Sequence, residues 1–464
     1  MPRLLLFVTL LSGCTCDRSE APAPRRAEAE EPAVPGRVAT EPLRPTVTRI
    51  TLDALPAPDA SESARKTPEV VPPPPGATLR VPEGFVVQLF AERLPNARWL
   101  RETPDGRVLV AQSRDDRITA LSDADGDGVA ESRALFAGDR NELDAPFGMA
   151  FAGQHFYLGN QDEVRRYPWR EGQARLEGAG ERIIELPGGG YRQHWTRNVV
   201  VSPDGRRLFV SIGSRSNDDP EPEPRATVQV MDLDGSNRSG AERRHADSPE
   251  ARSAGGPRRA VAPRSDRWNL RTFASGLRNP VGLDFQPETG ALYATVNERD
   301  GLGDDLVPDY LARLEDGAFY GWPWAYLAPT LLDPRLTTDE GESARPALTA
   351  RTRTPEILFQ AHSAALGLAF YDRDAFPARY RGGAFVAFRG SWNRSRGTGY
   401  KIVFVPFEGG RPAGGYEDFV TGFLIDPTVP RTWGRPVGVL VRTDGSLLFT
   451  DETGGRVYRV SYPR

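Results

Sequence analysis

From Ser275 the chain reads S-G-L-R-N-P-V-G-L-D-F, then Q-P-E-T-G, then A-L-Y-A-T-V. Leu283, Phe285, Leu292, Ala294 and Val296 fall at every second position on either side of a Pro/Gly turn, the period of a half-buried antiparallel hairpin. Polar residues gather at one end of that hairpin, because Arg278 and Asn279 precede the first strand and residues 297–305 follow the second. The same strand, turn, strand pattern recurs from Pro95, Ala145, Thr196, Ala364 (resuming at Gly382) and Arg435. Six copies without helical periodicity predict an all-β fold, a six-bladed β-propeller.

In such a fold the innermost strand of each blade starts at one mouth of the central channel and the second strand ends there. That mouth should therefore collect Asn96, Arg98, Asp144, His194, Arg197, Asn198, Arg278, Asn279, His362 and Arg435. The second strands should add Arg114, Asn160, Arg215, residues 297–300, Arg389 and Asp451.

The folded part is expected from about Ala77, where L-R-V-P-E-G-F-V-V-Q-L-F begins, through residue 464, and its two ends can share one blade. Residues 235–268 form a polar, arginine-rich insertion read as a surface loop, with His245 inert. Residues 1–16, M-P-R-L-L-L-F-V-T-L-L-S-G-C-T-C, describe an export signal too short to span a bilayer. Leu11-Ser12-Gly13-Cys14 resembles the bacterial lipoprotein box, so Cys14 is the expected lipidation site; the other reading is an ordinary signal peptide. Residues 17–76, rich in Ala, Pro, Glu and Arg, read as a disordered linker tethering the domain to the outer membrane, periplasm or cell surface.

A formal net charge of -4 over 464 residues suggests no nucleic-acid surface. Both cysteines lie near the N-terminus, so the folded domain has no disulfide framework, cysteine-ligated zinc or c-type haem attachment.

His194 stands just before an innermost strand, where a neutral imidazole can take a proton from a hydroxyl. His362 has the equivalent place in another copy and reads equally as a ligand contact or a structural residue. Arg278, Arg389 and Arg435 come from three copies. Their convergence suits a multiply carboxylated ligand, or else salt bridges to Asp304, Asp305 or Asp451. Neighbouring acids could then hold a hard cation through oxygen. Separately, Asp123-Ala-Asp125-Gly-Asp127-Gly-Val-Ala-Glu131 looks like a calcium loop, although Ala134 stands where an EF-hand has its final glutamate.

The chain resembles the pyrroloquinoline-quinone-dependent sugar dehydrogenases, of the sorbosone dehydrogenase type. The likeness rests on H-W-T-R-N-V-V-V-S-P-D-G, A-S-G-L-R-N-P-V-G-L-D-F, V-N-E-R-D-G-L-G-D-D-L-V-P-D-Y, F-Y-G-W-P-W, Y-R-G-G-A-F-V-A-F-R-G-S-W-N-R and G-R-P-V-G-V. It implies pyrroloquinoline quinone lying over the channel mouth on a calcium ion, a sugar substrate and an external electron acceptor. In the implied roles His194 is the general base, Arg278 stabilises charge developing on the cofactor, Asn279 helps hold the quinone and Arg435 pairs with one of its carboxylates. The calcium is implied at the loop matching residues 299–305, with Asp300, Gly301 and Asp305 as its positions here. Glucose-oxidising relatives carry a lysine near the position of Arg389.

Two other function classes are compatible with the fold, since propellers host many. One is a metal-dependent lactonase, which would use the acids but has no need of three arginines. The other is a non-catalytic carbohydrate-binding propeller using Trp195, Trp322, Trp324 and Trp392.

Overall fold

The computed structural model describes residues 35–188, 194–233 and 270–463. Cys14, the signal segment and the 235–268 insertion lie outside the described residues. Among those described, the protein is almost entirely β, with Pro346–Thr349 its one short α-helix. No helix among them is long and apolar enough to cross a membrane.

Each of the six sequence copies forms an antiparallel hairpin. The first strands are Ala97–Glu102, Met149–Ala152, Val199–Val201, Asn279–Phe285, Ala365–Phe370 and Pro436–Val441. The second strands are Val108–Gln112, His155–Gly159, Arg207–Ile212, Leu292–Asn297, Ala384–Phe388 and Leu447–Asp451. Two or three further strands extend each hairpin outward, giving six sheets of four or five strands among the described residues. The first strands touch one another in cyclic order, and the sixth meets the first, so the sheets close into a ring. In the sixth sheet the outer strand is Val86–Ala91, paired antiparallel to Arg456–Ser461. Both ends of the folded region thus share one sheet.

The inner ring explains a glycine recurring in four of the six copies: Gly148, Gly282, Gly367 and Gly438. A Cβ on Gly282 would overlap the carbonyl oxygen of Leu366, and one on Gly367 that of Val437, each on the next sheet's first strand. The register shift between Pro280 and Leu283 also takes the Gly282 amide out of its ladder. Thr295 Oγ1 accepts that amide at 2.9 Å and donates to the Leu366 carbonyl at 2.7 Å. Thr450 does the same between Gly438 and the Arg98 carbonyl. A buried backbone group leaving a ladder needs such a partner, and here the partner also ties one sheet to the next.

The described part of the expected linker is not disordered. Thr40–Leu43 pairs in parallel with Leu79–Pro82, Val47–Thr48 pairs with Tyr416–Val420, and Glu69–Val70 pairs with Arg431–Thr432. Ile50, Leu52 and Leu55 pack on a buried cluster that includes Leu302, Leu306 and Tyr310. The polar composition of residues 35–76 hid this because the segment borrows its hydrogen bonds and apolar partners from sheet edges, so no periodicity of its own is required.

Candidate active site at the channel mouth

The starts of the first strands and the ends of the second converge on a cavity of 340 Å³. His194, Arg278, Asn279, Asp300, His362 and Arg389 line it, together with Arg98, Arg114, Trp195, Glu298, Asp309, Trp392 and Asn393. Trp195, Val281, Leu366 and Trp392 supply apolar wall. This mixture of apolar lining and converging polar groups suits a small-molecule site.

His194 is buried, and its Nδ1 lies 2.9 Å from Ser214 Oγ and 3.1 Å from the Ser214 carbonyl oxygen. Ser214 Oγ donates its own proton to the Ser216 carbonyl at 2.5 Å. The serine can therefore only accept from the ring, which fixes the proton on Nδ1 and makes Nε2 the ring's acceptor. Burial, reinforced by Arg278, holds the imidazole well below its ordinary value of 6.5. The ring is neutral at pH 7 and in the tautomer a base requires. Gly213 keeps room for it, since a Cβ there would press on Asn279 Oδ1 and His194 Cβ.

Arg278 is buried on backbone and side-chain acceptors from two other segments. It donates to the Asn217 carbonyl at 3.0 Å, Asn217 Oδ1 at 2.8 Å and the Glu298 carbonyl at 2.7 Å, and meets Asp300 at 3.3 Å. Burial opposes ionisation of Asp300, but Arg278 and His362 outweigh it and keep the carboxyl below the usual range. His362 Nε2 lies 2.9 Å from the Gly303 carbonyl oxygen, while Nδ1 is 3.0 Å from Asn393 Nδ2 and 3.6 Å from Asp300. For His362 burial works against the charge, yet Asp300 raises its pKa overall. Asn279 is buried, and its Oδ1 has no hydrogen-bond partner among the described residues.

The arginines divide differently from the sequence expectation. Arg389 and Arg98 share one buried acid, Glu452, each at 2.7 Å. Burial opposes its charge, but the two guanidinium groups hold the Glu452 carboxyl well below its ordinary value. Arg98 also lies 4.9 Å over the Trp195 ring. With Arg114 on the same wall, three cations of the rim face one direct carboxylate. Arg435 does not line the cavity. Its guanidinium donates to the Arg389 and Gly390 carbonyls at 3.2 and 2.9 Å, and burial followed by Arg389 brings its pKa down to about 9. It braces the Arg389–Gly390 turn from behind the lining. Asp304, Asp305 and Asp451 do not neutralise the three arginines: Asp305 pairs with Arg394, Asp451 with Arg456, and Ser395 bonds Asp304.

The remaining mouth candidates scatter. Arg197 is buried on the His194, Thr196 and Pro187 carbonyls, Asn160 binds Glu163, and Asn198 faces the other end of the channel. Trp195 and Trp392 line the cavity, whereas Trp322 donates to the Asn217 carbonyl and Trp324 sits beside Arg345 away from it.

Asp300, Gly301 and Asp305 were expected to hold calcium, but only Asp300 faces the cavity. Gly301 is exposed and Asp305 is turned outward to Arg394. The carbonyls of Asp300, Leu302, Gly303 and Asp304 accept hydrogen bonds from Asn217 and Arg335, Asp59, His362 and Arg394 respectively. Several of those donors are cationic, so the loop's oxygens do not fit a divalent cation. The loop is anchored instead by the fully buried Arg299, which reaches Glu298, Asp333 and the Pro323 and Ala325 carbonyls. That bond set joins the V-N-E-R-D and G-W-P-W motifs physically.

A cation fits better elsewhere. Carboxylate oxygens of Asp123, Asp125, Asp127 and Glu131 lie within 4.8 Å of one another between the outer strands of the first sheet. The Asp123 side chain is only 3% exposed, and its Oδ1 has no hydrogen-bond partner among the described residues. Arg442 lies 3.8 Å from Asp123, and a hard cation among the four acids would relieve the rest of their mutual repulsion.

Sequence reasoning missed Ser214, Asn217, Asp309, Asn393 and Glu452. Asp309 caps the amides of Glu298 and Ala364 at 2.9 and 2.7 Å, and burial raises its pKa to about 6. Glu452 follows the last second strand by one residue, so a wider window at the strand exits would have found it.

Comparison with known proteins places the chain in a family. A model of the glucose/sorbosone dehydrogenase family matches residues 149–389, and a TrAA12-like model matches residues 337–463. An uncharacterised protein of Borreliella burgdorferi is 25% identical over 408 residues, covering 84% of this chain and 92% of that one. Aldose sugar dehydrogenase YliI of Escherichia coli is 29% identical over 114 residues, 25% of this chain and 26% of its own. The holo form of the pyranose dehydrogenase PQQ domain from Coprinopsis cinerea superimposes with a TM-score of 0.64 at 20% identity, covering 85% of this chain and 99% of that one. The fold is therefore shared with propeller sugar dehydrogenases, and because the first family model spans more than half of its length, this chain belongs to the glucose/sorbosone dehydrogenase family.

Proposed function

We propose that this protein is a six-bladed quinoprotein that oxidises an aldose or sugar aldehyde, with pyrroloquinoline quinone held at the channel mouth and electrons passed to an external acceptor. The observation that carries this reading is one cavity holding a neutral His194, with Nε2 as its acceptor, beside the buried cation Arg278. Hydroxyl oxidation needs that pair, a base for the proton and a fixed positive charge where negative charge builds. Family membership and the pyranose dehydrogenase PQQ domain among the structural neighbours support the same class.

When bound, the quinone supplies the two-electron acceptor that no side chain here can provide. The chain supplies position and electrostatics. Arg98, Arg114 and Arg389, partly neutralised by Glu452, would hold its carboxylates, and Asn279 Oδ1 offers a buried acceptor. His194 Nε2 takes the substrate hydroxyl proton, while Ser214 keeps the ring in register by holding Nδ1–H. Arg278 stays fixed by Asn217 and Glu298, so its charge needs no reorganisation as the reaction proceeds. Trp195 and Trp392 offer flat apolar walls against a sugar face. Calcium belongs in this reading at the Asp123–Glu131 cluster, as a structural ion. The lactonase alternative is weaker, because Asp300, Asp309 and the loop carbonyls are already committed to internal donors.

Adding pyrroloquinoline quinone to the purified protein tests this. Bound-quinone absorbance should appear at about one equivalent and be reduced on adding an aldose. Failure to bind, or binding without reduction by any aldose or sugar aldehyde, would overturn the reading.

A further inference from the structure

Residues 59–66, read from sequence as linker, lie against the two loops that build one wall of the site. The Asp59 amide donates to the Leu302 carbonyl at 3.0 Å. Ser61 Oγ accepts the Asp304 amide at 2.8 Å, and Ser63 Oγ accepts the Gly303 amide at 3.0 Å. Further along, the Lys66 amide donates to the Trp392 carbonyl at 2.7 Å, and its Nζ donates to the Ser395 and Thr428 carbonyls. Arg65 lies 5.7 Å over the Trp392 ring, which itself lines the cavity.

The Gly303 and Asp304 amides are buried beneath this segment. What they hold matters chemically. The Gly303 carbonyl fixes His362 Nε2, which turns Nδ1 toward Asn393, and Asn393 Nδ2 also donates to Asp300 at 2.5 Å. Asp300 in turn meets Arg278. A continuous run of hydrogen bonds therefore leads from two exposed serines to the cation of the site.

We propose that residues 59–66 are an integral support behind one wall of the site, and that Ser61 and Ser63 are positioning residues that set the orientation of His362 and, through Asn393, of Asp300. The effect on quinone binding rests on the function proposed above; the effect on His362 does not.

The test uses the full chain carrying Ser61→Ala and Ser63→Ala together. The chain has four histidines, so the ring nitrogens of His362 can be followed by long-range proton–nitrogen NMR. The double variant should shift the His362 ring nitrogens and leave those of His155 unchanged. It should speed amide exchange at residues 302–305 and 362–364 by about tenfold or more, as expected for loss of two hydrogen bonds, with the Leu292–Asn297 strand unchanged. Quinone affinity should fall by about tenfold, and Ser61→Thr with Ser63→Thr, which keep the acceptors, should restore all three readouts. Faster exchange confined to residues 303–304, with His362 nitrogens unmoved, would overturn the proposal. So would loosening spread equally over all sheets. If the unsubstituted chain binds no quinone, the function reading falls, and the His362 spectra still decide this one.

Discussion

Glu452→Gln probes the electrostatics of the site most sharply. Glu452 is 6% exposed and bridges Arg98 and Arg389 at 2.7 Å each. Glutamine keeps the shape and one acceptor but removes the one carboxylate, among the described residues, that bonds directly to either cation. Breaking a buried pair by removing one partner typically costs ~3–5 kcal/mol. Arg389 keeps about a quarter of its side chain in solvent, so the lower end applies, about 3 kcal/mol. An unfolding entropy of roughly 2.1 cal/mol/K per residue over roughly 390 described residues makes that a fall of about 4 °C in Tm. The sign reverses with ligand. Two uncompensated guanidinium groups should bind a polycarboxylate more tightly, by about tenfold if the gain is near 1.4 kcal/mol, and saturating quinone should recover the lost stability. Differential scanning fluorimetry with and without quinone reads both effects. A variant that loses stability and also binds quinone more weakly would refute the reasoning, showing that Glu452 orients the arginines rather than balancing them.

Other expectations follow from particular groups. Arg435→Ala should lower Tm by a few °C while changing quinone affinity less than about threefold, because its guanidinium is committed to the Arg389 and Gly390 carbonyls; an affinity loss exceeding the stability loss would return it to the rim. Asp125→Asn with Asp127→Asn should abolish a calcium-dependent rise in Tm, measured by adding calcium to chelator-treated protein, and leave quinone binding intact. Cys14→Ser should release the protein from membranes, and unchanged fractionation with an unmodified mature terminus would count against lipidation there.

Most of the architecture was legible because the ring is built by repetition. Alternating apolar positions and a shared turn identify all six hairpins, and antiparallel pairing alone places Arg278 beside residues 297–300. His194 was readable for the same reason, since a strand start faces the mouth. Side-chain direction was not readable: Arg389 and Arg435 look alike in sequence, yet one reaches the cavity while the other is spent on the Arg389 and Gly390 carbonyls. The partner that sets the His194 tautomer, Ser214, and the one that pairs Arg98, Glu452, come from other strands and loops, and a one-dimensional pattern carries no register between sheets. Residues 35–76 were misjudged because their order is borrowed from the surfaces they cover.

The central claim is that His194 acts as a neutral base. Stopped-flow reduction of bound quinone by sugar, in the parental protein and in His194→Ala, tests it most directly. The variant should bind quinone as before and reduce it at least about a hundredfold more slowly, the usual cost of losing a positioned base. In the parental protein the imidazole pKa lies well below 6.5, so the base stays unprotonated as pH falls through 6.5, and His194 should impose no acid limb there. The same depression means that stability attributable to this ring is complete above pH 6.5 and is lost as pH falls below it, where the unfolded chain takes up the proton first. A variant that reduces quinone at close to the parental rate, or a parental rate that falls with an apparent pKa of about 6.5 and loses that limb in His194→Ala, would contradict the account.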